Sequence, residues 1–271
     1  MNKKPRILLT NDDGIYAPGL RSLYESIKDF GEVSIIAPTS EKSGSGLGQS
    51  LNKPLKIHEI PWDGSAKAWA INGTPTDCMK LGFNVLLKQK PDIVLSGINR
   101  GSNAGRNILY SGTVGGVIEG VHKDVPGIAF SCYDYELPNY EVCSKFIPQI
   151  LKYFLQSGIP QGSLINVNFP PGDLDKIKGL RLARQGKGYW AENPDQRKHP
   201  TGSHYYYWLG GKWHEFEEHP ESDVLLLSEG FITVVPIYVN ELTHEKLLNE
   251  HREKFSEYFD NHLFNPPVDT I

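Results

Sequence analysis

The sequence predicts an α/β protein built on a mainly parallel sheet, and three observations carry that prediction. Short apolar runs that end in turn residues alternate with segments of helical apolar spacing from Arg6 to about Ser163. The first such unit is Ile7–Leu9, a helix opened by Pro18, and Val33–Ala37, which is the spacing of a parallel βαβ crossover. The exits of the runs ending at Leu9, Ala37 and Ser96 are polar or glycine-rich, as expected where the carboxyl ends of parallel strands face a ligand.

The first strand ends in Asn11-Asp12-Asp13-Gly14. Neighbouring side chains diverge within a strand, but just past its end the chain is turning and both carboxylates can reach one point. Two such charges raise each other's pKa unless a cation lies between them. After Pro18, Leu20, Leu23, Tyr24 and Ile27 share a helical face, and Gly31 ends the helix. Val33–Ala37 is a strand closed by Pro38, and the loop Thr39–Gly48 opens on the same sheet edge. Its glycines permit close backbone approach to an anion or metal, although a flexible solvated loop fits equally; the spacing is not a dinucleotide fingerprint. Lys53–Ile57 and Ala66–Ile71 read as a strand pair across Asp63-Gly64.

Gly73-Thr74-Pro75-Thr76-Asp77 is a helix start, with Thr74 as N-cap, Pro75 at the first position and Asp77 complementing the dipole. A ligand contact by Gly73 and Thr74 is the alternative. Met79, Phe83 and Leu86 or Leu87 supply the core face. Pro91–Ser96 is a buried strand that runs into Gly97–Gly105, a loop containing Asn99, Arg100 and Asn103; a ligand site explains it better than turn chemistry alone. Tyr110–Gly120 enters a glycine-rich helix capped by Ser111 or Thr113, whose first amides suit an anion. Gly127–Ser131 is a strand. Val142, Phe146, Ile150 and Phe154 form a helical stripe with an expected kink at Pro148, and Leu164–Asn168 is the next strand.

From Gly179 the texture changes. Arg184–Trp190 and Ser203–Trp208 interleave aromatics with polar residues, which serves either base stacking or subunit contact. Gly230–Pro236 is one more strand, Leu247, Leu248, Phe255 and Phe259 mark a terminal amphipathic helix, and the tail Asn265-Pro266-Pro267 is expected to fray. A single domain over 1–271 is expected, with an α/β core at 1–183 and an extension at 184–271.

Composition narrows the partners. A chain of 271 residues can bury a substantial core, and 39% hydrophobic with 22% charged residues is ordinary for a globular protein. A net charge of -4 offers no general attraction for a nucleic acid duplex or an anionic membrane, so a small ligand is expected. No apolar run approaches the roughly 20 residues of a membrane helix, and the N-terminal run breaks at Asn11–Asp13 without forming a signal peptide, so a cytoplasmic location is expected. Cys78, Cys132 and Cys143 are odd in number and lack CxxC spacing, as free thiols would.

Asp12 and Asp13, Ser43, and Asn99 with Asn103 thus converge from separate strand exits as oxygen donors, which selects Mg²⁺ or Mn²⁺ over zinc. Such an ion beside a helix N-terminus suits a phosphate, and phosphomonoester hydrolysis is the simplest reaction. Thr10–Gly14, Ala37-Pro38 with Glu41-Lys42-Ser43, Gly73–Cys78, Ser96–Asn103 and Ser111–Val114, in this order, resemble the SurE ("survival protein E") family of 5′/3′-nucleotidases. The resemblance is dense from Arg6 to about Ser131 and looser through Arg184-Gln185, Tyr205–Trp208, Asp223 and Glu229-Gly230.

The resemblance implies a Rossmann-like three-layer α/β/α core, one divalent metal ion per subunit, and a homodimer or homotetramer built by a C-terminal β-hairpin and helix extension. It implies metal ligands at Asp12, Asp13, Ser43 and Asn99, and phosphate contacts at Asn103, Ser111, Gly112 and Thr113, with Asp12, Asp13 and Asn103 as catalytic residues. Lys42 stands where many members carry arginine, and His199, His204 and Asp223 are lesser site candidates. A haloacid-dehalogenase-like phosphatase would need DxD, whereas Asp12 and Asp13 are adjacent; a nucleotide sensor that binds phosphate without cleaving it is the other alternative. The nucleophile, water or a carboxylate, is left open.

Overall fold

The computed structural model describes residues 4–260, so the Asn265–Pro267 tail lies outside it. The chain forms β1 (Arg6–Thr10), α1 (Pro18–Ile27), β2 (Glu32–Pro38), β3 (Ile57–Ile60), β4 (Lys67–Ile71), α2 (Pro75–Leu81), β5 (Ile93–Arg100), α3 (Gly112–Val121), β6 (Gly127–Cys132), α4 (Tyr140–Ser157) and β7 (Ser163–Phe169). It continues with β8 (Gly179–Leu182), β9 (Tyr189–Ala191), β10 (Asp195–Lys198), β11 (Tyr205–Trp208), β12 (Lys212–His214), α5 (Asp223–Ser228), β13 (Phe231–Tyr238) and α6 (Glu245–Phe259).

Among the described residues the main sheet has nine strands in the order β3-β4-β2-β1-β5-β6-β7-β13-β8. The run from β4 to β7 is parallel throughout. Pleating sends alternate side chains to opposite faces, so each strand must be apolar on both sides. Ile7 and Leu9 of β1, with Ile35 and Leu95, join one apolar cluster that includes Leu20 and Leu23 of α1 and Ile147 and Leu151 of α4. Leu8, Ile36 and Val94 join the other, with Met79 of α2 and Val114 and Val117 of α3. The result is a three-layer α/β/α core. No described helix is long and apolar enough to cross a membrane.

The order of the strands fixes the site. From β1 the chain moves outward through β2 and β4, then returns to place β5 on the other side of β1. The turns leaving β1 and β5 therefore diverge from a topological switch point, where a parallel sheet opens a crevice at its carboxyl ends.

Three expectations are corrected. The strand expected at Lys53–Ile57 is Ile57–Ile60, pairing antiparallel with β4 from Ile57 opposite Ile71, because Pro54 has no N–H for a ladder. The helix from Pro75 ends at Leu81 and passes into a wider turn over Gly82–Leu86. The last strand, expected within an extension from residue 184, lies inside the main sheet, antiparallel to β7 and parallel to β8. Burial explains this: Ile232, Thr233, Val234 and Val235 are core residues. The compact units divide later, one running to Val239 and the other beginning at Asn240. Two small hairpin-like pairs, β10 with β11 and β9 with β12, carry the aromatic segments.

Candidate active site

At the switch point Asn11 shapes the turn out of β1. Its side-chain nitrogen donates to the Gly14 carbonyl at 2.9 Å and its oxygen accepts the Gly14 N–H at 3.2 Å. Gly14 has φ of 107°, a conformation open to glycine and strained for other residues. This closed loop presents Asp12 and Asp13 on the same side of the sheet edge. Asp12 is 3% exposed and accepts a short hydrogen bond from the Thr113 hydroxyl at the start of α3. Asp13 Oδ2 accepts the Arg100 N–H at 3.3 Å, which ties it to the end of β5. The Lys42 N–H donates to the Asp12 carbonyl at 2.7 Å, so Ser43 is anchored beside the pair from the β2 exit.

Electrostatics single out the two carboxylates. Burial pushes the Asp13 carboxyl up to about 7, with the charge on Asp12 adding to the effect and the Arg100 amide opposing it. Asp12 is also raised, chiefly by burial, against the hydrogen bond from Thr113. The protein alone therefore disfavours two negative charges here, and a bound cation would reverse that penalty.

The oxygens around them suit a hard cation. Asn99 donates its side-chain nitrogen to the Gly101 carbonyl at 2.8 Å, which leaves Oδ1 as the acceptor end. The Ser43 hydroxyl donates to Glu41 Oε1 at 2.7 Å, leaving its lone pairs as ligands, and Glu41 in turn meets the Arg100 guanidinium at 3.5 Å. Among the described residues no cluster of three or more His, Cys, Asp or Glu side chains forms a metal cage, so a cation here would rely on neutral oxygens as well as the carboxylates.

The helix α3 closes the site from the other face of the sheet. Ser111 caps it, accepting the Val114 N–H at 3.1 Å, so the amides of Gly112 and Thr113 have no intrahelical partner; the Thr113 amide turns to the Asp12 carboxylate, and the Gly112 amide is left to face an anion. Its start lies against Asp12: a Cβ on Gly112 would stand 2.9 Å from Asp12 Oδ2 and 2.7 Å from Ser45 Oγ. Asn103 is 6% exposed and donates its side-chain nitrogen to Ser131 Oγ at 2.7 Å.

A family model described as Survival protein SurE matches residues 7–192. The chain belongs to the SurE family. The SurE protein named 5′-nucleotidase SurE from Protochlamydia amoebophila is 50% identical over 252 residues, 92% of this chain and 97% of that protein. The 5′-nucleotidase SurE of Flavobacterium psychrophilum is 39% identical over 246 residues, 90% of this chain and 95% of that protein. The crystal structure of the SurE protein from Aquifex aeolicus superposes with a TM-score of 0.79 at 36% identity, covering 93% of this chain and all of that one. The SurE fold is thus shared along nearly the whole length.

Within this SurE framework the structure brings together Asp12, Asp13, Ser43, Asn99 and the 111–113 helix start. It uses both the hydroxyl and the amide of Thr113 as partners for the Asp12 carboxylate, so within 111–113 the amide left without a partner among the described residues is that of Gly112. Thr74 serves structure: its hydroxyl accepts the Asp77 N–H at 3.2 Å and donates to the Gly48 carbonyl at 2.6 Å. His199 and His204 meet at a tilt, 4.6 Å between ring centroids and 35° between planes, in the segment joining β10 to β11, and no hydrogen bond among the described residues connects them to the carboxylate pair. Asp223 is fully buried and accepts the Gly186 N–H at 2.7 Å, the Gly105 N–H at 3.2 Å and the Gln185 side chain at 2.9 Å. It fastens the loop after Asn103 and has no bond to Asp12 or Asp13.

Sequence reasoning missed Ser131, Asn166, Asn168 and Glu41. A signal existed in β7, Ser-Leu-Ile-Asn-Val-Asn-Phe: two asparagines two residues apart put polar groups on one face of an otherwise buried strand.

Proposed function

We propose that this chain is a metal-dependent phosphomonoesterase that hydrolyses nucleoside 5′- and 3′-monophosphates to nucleoside and inorganic phosphate. The observation that carries the reading is the adjacent Asp12–Asp13 pair, Asp12 buried and Asp13 half-buried, beside the N-terminus of α3 at the switch point. Cation donors and anion donors are thereby side by side, and the relatives are named 5′-nucleotidases. Asp12, Asp13, Ser43 and Asn99 would hold one Mg²⁺ or Mn²⁺ ion, which when bound supplies Lewis acidity at the phosphoryl group and acidifies the attacking water.

The chain's own groups do the rest. The Gly112 amide and the Asn103 carboxamide donate to phosphoryl oxygens and stabilise the charge that spreads over them in the transition state, while Thr113 holds Asp12 in place. Asp12 is already bonded through Oδ1 to Thr113, whereas Asp13 accepts only the longer bond from Arg100, so Asp13 is the better placed to take the proton of the attacking water. Water adds to phosphorus as the ester oxygen departs, and the leaving alkoxide takes up a proton to give the nucleoside.

Three buried free cysteines, Cys78, Cys132 and Cys143, fit a reducing cytoplasm. The exposed aromatics of β11 fit assembly into a homodimer or homotetramer. The test is phosphate release from nucleoside monophosphates with Mg²⁺, Mn²⁺ or EDTA. Release stops in EDTA and falls at least about 100-fold in Asp13→Asn with unchanged circular dichroism; full activity of the variant in EDTA would end the metal reading.

A further inference from the structure

We infer that Ser131 and Asn168 are positioning residues for Asn103, an inference that rests on the proposed role of Asn103 at the phosphoryl group. Asn103 is gripped by three side chains at three different atoms. Its side-chain nitrogen donates to Ser131 Oγ at 2.7 Å, its backbone N–H donates to Asn168 Oδ1 at 2.8 Å, and its carbonyl accepts from Asn166 Nδ2 at 3.0 Å. The Ser102 hydroxyl also donates to Asn168 Oδ1, at 3.1 Å. All three gripping residues are 0% exposed. They come from the neighbouring strands β6 and β7, so the sheet itself is the mould in which the loop is cast.

This arrangement is poor value as mere stabilisation. Asn166 Oδ1 and Asn168 Nδ2 are buried without a hydrogen-bond partner. An orphaned buried polar atom costs about as much as one buried hydrogen bond contributes, so the bond each asparagine makes to Asn103 is largely offset by the atom it leaves unpaired. What the asparagines supply that apolar residues would not is a fixed backbone at Asn103. With the carboxamide orientation set by Ser131, one of its two N–H protons is spent on the serine and the other stays available for a phosphoryl oxygen. Displacement of a catalytic group by about 1 Å is enough to cost on the order of 100-fold in rate.

The experiment compares Ser131→Ala, Asn168→Leu, Asn103→Ala and the Ser131→Ala/Asn103→Ala double variant for kcat and KM on a nucleoside monophosphate with Mn²⁺, and for Mn²⁺ affinity by calorimetry. Ser131→Ala and Asn168→Leu should lower kcat at least tenfold, with Mn²⁺ affinity within about twofold of wild type. The serine change should add less than about twofold once Asn103 is alanine, because its effect passes through that side chain. Wild-type kcat in Ser131→Ala, or losses that multiply in the double variant, would overturn the inference. Ser131→Ala removes a single oxygen and carries the test if Asn168→Leu does not fold. Should wild type release no phosphate, the reading of function fails by itself; the positioning inference is then read from inorganic phosphate binding, which Ser131→Ala must weaken at least tenfold, and equal affinity would sink it.

Discussion

Asp223 is a carboxylate in which burial wins over hydrogen bonding. Although Gly186, Gly105 and Gln185 all donate to it, removal from water pushes its carboxyl up to about 6 from an ordinary 3.8. The folded chain therefore binds this proton more tightly than the unfolded one. The stability this contributes is complete below about pH 4, declines as pH rises, and is gone above about pH 6. Asp223→Asn has no such proton. The wild-type-minus-variant difference in unfolding free energy should thus fall by on the order of 3 kcal/mol between pH 4 and 7, measured by urea titration at each pH; a flat difference would show a carboxylate ionised throughout. Single residues differ in how legible they are. Asp12 and Asp13 stand out because adjacent charges at a strand end need an explanation from local chemistry alone. Ser131, Asn166 and Asn168 do not, since a polar residue in an apolar strand has meaning only once its partner, 28 to 65 residues away in the chain, is known.

At the scale of elements, α2 shows how a cap does two tasks. Thr74 and Asp77 exchange backbone and side-chain bonds as a capping box. Asp77 also accepts the Ser50 N–H at 2.9 Å and the Ser50 hydroxyl at 2.8 Å. Burial works to raise the Asp77 carboxyl, yet these bonds hold it below its usual range. The same helix start therefore pins the end of the loop that carries Ser43. Thr74→Ala should lower stability by about 1 kcal/mol and Tm by about 2–4 °C, read by calorimetry; an unchanged Tm would mean that the cap is redundant. The helix start was legible because Thr-Pro-x-Asp states its own geometry. The strand expected at Lys53–Ile57 was misplaced because an apolar run does not say which partner it will pair with.

For the whole molecule, the site exists because the chain reverses the direction in which it lays down strands between β4 and β5. Asp12 and Asn99, far apart in sequence, leave adjacent strands at that reversal. The periphery has its own logic. Tyr205, Tyr206, Tyr207 and Trp208 on β11 are all exposed, with Trp208 at 67%, a surface that fits burial against another copy of the chain. Charging it, as in Tyr207→Lys with Trp208→Lys, should shift the sedimentation coefficient from oligomer to monomer while circular dichroism is kept; an unchanged coefficient would place the contact elsewhere. The sequence by itself determined the α/β class, the capped helices and the strand-end carboxylates, because periodicity, caps and like-charge repulsion act within a few residues. Only the tertiary structure decided the strand order, the place of β13 inside the sheet and the three-point hold on Asn103, because each is a pairing between distant segments whose partners local physics does not specify.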